Sequence, residues 1–129
     1  MPHAAIHRRR GAKPQNRAAL VEAVNRALIG VLGVAEDTHP VRLTEYDADS
    51  FLIPGSCSAD FTLVEATLFA GRTPETKETL FKAIVANISA LGVAENDIRT
   101  VIYDVPRDNW GLEGGVPASQ VDLGFKVEI

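Results

Sequence analysis

The sequence has one cysteine, few aromatic residues, no long hydrophobic run and no excess of positive charge. The single Cys57 excludes an internal disulfide bond and any zinc site that needs several cysteines. The uninterrupted apolar stretches are too short for a membrane-spanning helix, and the basic residues at 7–10 are not followed by the apolar segment of a secretory signal. Because the net charge is −4, the chain also lacks the basic character of a general nucleic-acid binder. We therefore expect a cytoplasmic protein without membrane or nucleic-acid partners.

What the sequence does have is the composition of one globular domain. Its 129 residues are enough for one hydrophobic core and too few for two. Hydrophobic residues make up 46% and charged residues 23%, which is the balance of a folded protein rather than of a disordered chain. The three histidines show no spacing typical of metal ligands, so we expect no metal site.

An internal repeat divides this domain into two similar units. The motif Leu-Gly-Val-Ala-Glu occurs at residues 32–36 and again at 91–95, and in both places it follows a helical pattern. Upstream of the motif, a glycine, a proline and two aliphatic residues recur at the same spacing: Gly11, Pro14, Leu20 and Val24 match Gly71, Pro74, Leu80 and Ile84. These matches in one order indicate two copies of one structural unit.

Each unit is predicted to be a strand–helix–strand segment. In the first unit, Leu20, Val24, Leu28 and Val31 have the spacing of one helix face. Extended segments flank both predicted helices, at 2–8, 41–46, 61–69 and 98–105. A helical crossover makes the two strands of a unit parallel. We therefore predict an α+β fold in which two tandem βαβ units form a four-stranded sheet with both helices on one face.

Composition sets the boundaries of these parts within a single domain, 1–129. Repeat 1 covers about 2–48, a linker that contains Pro54 and Gly55 covers about 50–60, and repeat 2 covers about 61–106. The remainder, 107–129, begins as a glycine-rich loop. It then alternates between apolar and other residues from Val121 to Ile129, which predicts a half-buried strand.

The second face of the predicted sheet has no covering layer. We expect this face to be apolar, and so large an exposed apolar area is unusual in a monomer. We therefore expect an oligomer that covers this face, in which the strand at 121–129 pairs with the sheet edge of a neighbouring subunit.

Pro2 is the first candidate for chemistry. The initiator methionine is usually removed when the next residue is small, and removal of Met1 would expose a secondary amine at the start of the first strand. An unperturbed α-amino group titrates near about 7.7–8.0, and burial lowers its pKa by disfavouring the cation. Such a group can act near neutral pH as a general base, a general acid or a nucleophile toward a carbonyl.

Three segments resemble the tautomerase superfamily, of the 4-oxalocrotonate tautomerase type. They are Pro-His-Ala-Ala-Ile-His at 2–7, Thr-Leu-Phe-Ala-Gly-Arg-Thr-Pro-Glu-Thr-Lys-Glu-Thr-Leu at 67–80, and Asn-Trp-Gly with its following glycines from 109. The last resembles the longer, fused-repeat members, the malonate semialdehyde decarboxylase group. The resemblance implies a tautomerase-like fold, a catalytic amino-terminal proline, and a homotrimer in which the C-terminal loop and strand make contacts.

The resemblance also implies the other residues of the site. Arg72 would bind the substrate carboxylate, since a guanidinium holds a carboxylate through two parallel hydrogen bonds. Asp37 would activate water or polarise the substrate, as in decarboxylase-like members. Trp110 and Leu112 would line the pocket. Tyr103 is a further candidate, as a donor to an oxyanion by its own chemistry, and its repetition as Tyr46 in the first unit favours a structural role as the alternative.

The repeat predicts one such site in each chain. The residue of the second unit that corresponds to Pro2 is Thr62, which has no free amine, and the residue of the first unit that corresponds to Arg72 is Ala12. One unit therefore supplies the amine and the other supplies the cation.

These residues favour a cofactor-independent isomerase that acts on small carboxylate substrates. In this reading Pro2 moves a proton between carbon and oxygen in the keto–enol tautomerisation of a 2-oxo acid. The alternative is a hydratase, dehalogenase or decarboxylase of three-carbon acids, in which protonated Pro2 acts with Asp37. A low pKa of the Pro2 amine favours its role as a base in tautomerisation, and a high pKa favours its role as an acid in the alternative reactions. A non-catalytic trimeric binding module is the alternative outside the enzymes.

Overall fold

A computed structural model of the chain describes residues 1–124, 127 and 129. The regular elements of this part follow the order predicted from the repeat: β1 (His3–Arg9), α1 (Arg17–Leu32), β2 (Val41–Tyr46), β3 (Thr62–Phe69), α2 (Pro74–Ser89) and β4 (Ile98–Val105). Among the described residues no helix has the length and apolar character needed to cross a bilayer.

The strands form one mixed sheet with the order β2-β1-β3-β4. β1 is parallel to β2 and β3 is parallel to β4, as a helical crossover within each unit requires. The two units join through β1 and β3, which are antiparallel, with His3 opposite Thr67. The predicted α+β fold of two βαβ units is therefore confirmed.

Both helices pack on the same face of this sheet. The core contains the apolar stripes of both helices together with alternate residues of the two central strands, among them Leu20, Val24, Leu28, Leu80, Ile84, Ile88, Ile6 and Val64. Each helix begins at a side-chain cap, since Asn16 accepts a hydrogen bond from the Ala19 N–H and Thr73 accepts one from the Thr76 N–H.

The uncovered face of the sheet combines polar and apolar side chains, so the expectation of an apolar face holds only in part. A row of side chains crosses all four strands: His7 Nδ1 lies 2.6 Å from Tyr46 Oη, and His7 Nε2 lies 2.8 Å from Glu65 Oε1. Tyr103 Oη donates to Glu65 Oε2 at 2.6 Å and completes the row. The register places apolar residues on this side too, since Leu63 lies opposite His7 and Val101 opposite Glu65.

The predicted strand at 121–129 is not formed in the part of the tail that the structure describes. Residues 121–124, Val127 and Ile129 lie outside any strand, and the prediction for 125, 126 and 128 falls outside the described residues. Gly124 has a φ of 74°, and its N–H donates to Asp122 Oδ1 at 3.0 Å. This turn is incompatible with an extended strand, and an alternating pattern does not reveal it.

Arg8 and Glu45 form a buried ion pair on the helix side of the sheet. The Arg8 side chain is 1% exposed, and its Nη2 and Nε lie 3.0 and 3.1 Å from Glu45 Oε2. The remaining Arg8 nitrogen, Nη1, donates to the Pro14 carbonyl at 2.7 Å, and Arg17 Nε donates to the other Glu45 oxygen at 2.7 Å. Burial removes water from both charges, which costs free energy, and these hydrogen bonds compensate for that cost.

Candidate active site

The antiparallel pairing of β1 with β3 places the amino terminus beside Arg72. The pairing brings the start of β1 to the end of β3, where the chain turns through Gly71 into Arg72 and α2. Pro2 lies directly before β1 and is buried. The two residues that the sequence assigned to different repeats are therefore brought to one end of the sheet.

Arg72 is held in a buried position at the entrance to α2. Its side chain is 6% exposed, and Nη1 donates to the Phe69 carbonyl at 3.2 Å. Thr73 follows as the helix cap and Pro74 as the first helical residue, so the chain direction at Arg72 is fixed on both sides. A buried guanidinium in this position provides a fixed positive charge for an anionic ligand.

The amine at this end of the chain is a weak cation. Burial, followed by the positive charge of Arg72, lowers the pKa of the Met1 amino group from 8.0 to about 6. Both effects disfavour the protonated form. An amine with this pKa is largely neutral at pH 7 and is therefore a proton acceptor.

The loop that contains Asp37 reaches the same end of the sheet. Because β2 is parallel to β1, the chain enters β2 beside the start of β1, where the Ala4 N–H donates to the Pro40 carbonyl at 3.2 Å. Asp37 itself is exposed and has a φ of 59°, a left-handed conformation that is uncommon for a residue with a side chain.

His39, which sequence reasoning did not select, lies in this loop. Its Nε2 is 2.6 Å from Asn25 Oδ1 on α1. Burial, the charge of the amino terminus and the charge of His3 lower the pKa of His39, whereas the charge of Asp37 acts in the opposite direction. These couplings place Asp37, His39 and the amine in one electrostatic neighbourhood.

Arg42 is a second residue that the sequence analysis missed. It lies opposite Ala5 in the β1–β2 register, and its charge, after burial, is the next largest cause of the lowered pKa of His3. The His3 ring meets the Trp110 ring edge to face, with centroids 5.0 Å apart and planes at 87°. The parallel register of β1 and β2, once assumed, would have indicated Arg42 as a neighbour of His3.

Trp110 and Leu112 lie in an apolar cluster beside Met1 and are not among the residues that line the cavities described below. The Trp110 ring is 4.5 Å from the Phe69 ring, and both Trp110 and Leu112 pack with Met1 against Phe69 and Ala118. Tyr103 lies elsewhere. It is on the polar face of the sheet, where its hydrogen bond with Glu65 raises its pKa, so it stays a protonated donor to that carboxylate at neutral pH.

A cavity of about 270 Å³ opens beside the amino terminus. Its lining residues come from Met1, from the loop after α1 and from the tail: Gly33, Ala35, Thr38, Leu123 and Gly124. A second cavity of about 270 Å³ lies on the polar sheet face, lined by residues that include His3, Arg42 and Tyr103. Ligand pockets for drug-sized molecules usually measure about 300–1,000 Å³, so the cavity at the amine suits a smaller molecule.

Similarity to known proteins points to one family. The Tautomerase_2 family model, described as "Tautomerase enzyme", matches residues 38–113. The protein named "Probable tautomerase" of Ralstonia nicotianae is 38% identical over 58 residues, which are 44% of this chain and 81% of that protein. A 2-hydroxymuconate tautomerase of Comamonas testosteroni is 33% identical over 48 residues, which are 36% of this chain and 76% of that protein.

Solved structures extend the similarity over nearly the whole chain. A fused 4-OT, solved as a wild-type symmetric trimer, has a TM-score of 0.80 and 31% identity, and the match covers 91% of this chain and 96% of that one. The FG41 malonate semialdehyde decarboxylase inhibited by 3-bromopropiolate has a TM-score of 0.80 and 25% identity, with 88% and 91% of the two chains covered.

Proposed function

The chain belongs to the Tautomerase_2 family of tautomerase enzymes, and on that premise we propose that it catalyses the keto–enol tautomerisation of small 2-oxo acids. Pro2, exposed by removal of Met1, is the general base and acid. Its neutral ring nitrogen takes a proton from the enol oxygen and returns a proton to carbon, so the reaction needs no external co-reactant. Arg72 holds the carboxylate and, through its charge, favours the negative oxygen that develops during the transfer.

The position of Pro2, buried at the same end of the sheet as the buried guanidinium of Arg72, carries this proposal. Burial and Arg72 bring the pKa of the Met1 amine to about 6, and both causes act at the same end of the sheet as buried Pro2. A base must be unprotonated to accept a proton, and the same burial and positive charge would favour the unprotonated form of the Pro2 nitrogen. An amine that served mainly as an acid would need a raised pKa.

We also infer that the active enzyme is a homotrimer that binds a small carboxylate. Fused 4-OT structures of 31% and 26% identity are described as symmetric and asymmetric trimers, which supports this assembly. The polar row on the sheet face suits a subunit contact made by hydrogen bonds and ion pairs rather than by apolar burial. Size-exclusion chromatography with light scattering tests the subunit number.

Decarboxylation or hydration of a three-carbon acid is the second candidate. The exposed Asp37 in the loop beside the amine supports it, since a carboxylate there can orient a water molecule. Turnover of malonate semialdehyde in preference to 2-hydroxymuconate would favour this reaction. Loss of that turnover in Asp37→Asn, with tautomerisation retained, would assign Asp37 to it.

The pH dependence of the reaction tests the role of the amine as a base. The neutral base is lost as the pH falls through its pKa, so kcat/KM for 2-hydroxymuconate is expected to rise with pH and to level off above the pKa of the Pro2 nitrogen. Burial and the charge of Arg72, which lower the pKa of the Met1 amine, are expected to lower that pKa as well. The profile is measured on the chain after mass spectrometry has verified removal of Met1. A kcat/KM that falls as the pH rises through this range would contradict the base and favour the acid.

Replacement of Arg72 tests the carboxylate site. Arg72→Ala is expected to lower kcat/KM by roughly 10- to 100-fold, mainly through KM, because a charge-assisted hydrogen bond contributes about 1.5–3 kcal/mol. Arg72→Lys keeps the charge but not the paired geometry and should recover part of the loss. Arg26→Ala is the matched control, since Arg26 forms only exposed ion pairs on α1. An unchanged KM in Arg72→Ala would rule out this role.

A further inference from the structure

The last residue of the chain is held at the amino end of α2. The Ile129 carbonyl oxygen accepts hydrogen bonds from the Thr73 hydroxyl at 2.7 Å, from the Thr73 N–H at 3.4 Å and from the Thr76 hydroxyl. One acceptor with three donors at a helix start is strongly held, because the helix dipole adds to the separate bonds. Thr73 directly follows Arg72, so this contact lies next to the proposed carboxylate site.

The same tail forms part of the wall of the candidate site. Leu123 and Gly124 line the cavity beside Met1, and Leu123 packs in the apolar cluster that contains Trp110. Val127 is 2% exposed in that cluster. Ile129 is thus held at the start of α2, while Leu123 and Gly124 line the cavity and Val127 lies in the apolar cluster.

We propose that Thr76 is a positioning residue for the reaction. Its hydroxyl, together with Thr73, anchors the tail through Ile129, and the anchored tail keeps Leu123 against the cavity and limits it to small acids. This proposal rests on the proposed function for its effect on substrate. The anchoring itself is measured without turnover.

A substitution at Thr76 tests the contact with Ile129 with less effect on helix stability than a substitution at Thr73. The Thr73 side chain caps α2 by accepting the Thr76 N–H, so its loss would also weaken the helix start. Thr76 donates its backbone N–H to that cap, and a substitution leaves this bond in place. Its hydroxyl also accepts from the Thr73 hydroxyl at 3.1 Å, so Thr76→Val loses this contact together with the bond to Ile129. Thr76→Val therefore removes the hydroxyl and retains the branched shape.

The experiment compares Thr76→Val with Thr76→Ser and Thr79→Val. Serine restores the hydroxyl, and Thr79 is an exposed threonine of the same helix whose hydroxyl donates only to the Glu75 carbonyl. Thr76→Val is expected to speed hydrogen exchange of residues 121–124 and to raise KM for 2-hydroxymuconate by roughly 2- to 10-fold, the equivalent of one hydrogen bond. Its kcat should stay within about twofold, since the amine is untouched. The fluorescence of Trp110, the only tryptophan, should change in parallel.

In Thr76→Ser and Thr79→Val, the hydrogen exchange of residues 121–124 and the KM for 2-hydroxymuconate are expected to equal those of the unsubstituted chain. Unchanged exchange of residues 121–124 in Thr76→Val, or unchanged KM despite faster exchange, would overturn the proposal. An exchange rate independent of Thr76 would also indicate that a neighbouring subunit holds the tail. Failure of the proposed function appears separately, as normal turnover in a Pro2 variant, and leaves the exchange result standing.

Discussion

Pro2→Ala is expected to lower kcat/KM for 2-hydroxymuconate by about 100-fold or more, within the range of about 10²–10⁴ that a positioned base contributes. Removal of Met1 still occurs before alanine, so the variant keeps an amine at the same place. That amine is primary and more strongly hydrated, and it rotates about a bond that the proline ring fixes. The loss therefore reports the positioning and basicity of the ring nitrogen rather than the presence of nitrogen.

Mass spectrometry and a second proline variant complete this test. The masses of both proteins establish that Met1 is absent, which the mechanism requires. Pro54→Ala, in the linker between the repeats, is the matched control and should retain activity within about twofold. Full activity of Pro2→Ala, or of a preparation that retains Met1, would exclude the amino-terminal proline as the base.

Arg8→Ala is expected to destabilise the fold by about 3–5 kcal/mol, the usual effect of removing one partner of a buried ion pair. Glu45 is 10% exposed in the parent chain, and the substitution removes both of its bonds to Arg8, so the carboxylate keeps only its bond to Arg17. The Pro14 carbonyl loses its donor as well. Urea unfolding of the variant and the parent, followed by Trp110 fluorescence, gives the difference in free energy of unfolding.

Arg10→Ala, at the turn directly after the same strand, is the control for charge. Its ion pair with Asp47 is exposed on both sides and is expected to contribute less than about 1 kcal/mol. The double variant Arg8→Leu with Glu45→Leu removes both charges and should regain much of the stability, because well-packed apolar side chains replace buried ion pairs at little cost. If Arg8→Ala and Arg10→Ala lowered the free energy of unfolding by the same amount, burial of the Arg8–Glu45 pair would not be the cause of the destabilisation.

The ion pair of Arg8 with Glu45 also makes the stability of the fold depend on pH in the acid range. The hydrogen bond from Arg17 is the largest cause of the lowered pKa of Glu45, and the charges of Arg17 and Arg8 add to it. Since the folded pKa lies below the ordinary value of 4.5, this stabilisation is complete above that value and is lost as the pH falls through the folded pKa.

Local patterns in the sequence were sufficient for the elements and for their pairing within each unit. The helical spacing of Leu20, Val24 and Leu28 predicted α1, and the rule for helical crossovers predicted that β1 and β2 are parallel. The tail shows where such patterns fail. Alternation from Val121 predicted a strand, but the turn at Gly124 depends on a side-chain bond from Asp122 that alternation does not encode.

For the candidate site, the sequence supplied Pro2 and Arg72 as residue types with suitable chemistry, and the repeat predicted that each unit provides one of them. It did not supply Arg42 or His39, and it placed Tyr103 at a substrate where the structure has it bound to Glu65. The neighbours of these side chains come from other strands and loops. Their positions therefore depend on which strands pair and in what register.

The sequence by itself determined the repeat, the helices and strands, and the residues able to transfer a proton or bind a carboxylate, because these depend on periodicity and on side-chain chemistry. Only the tertiary structure decided that the Met1 amine is desolvated beside Arg72, that a row of polar side chains crosses the open sheet face, and that Ile129 is bonded to Thr73 and Thr76. The antiparallel register of β1 and β3 brings distant parts of the chain together, and burial at that junction sets the pKa.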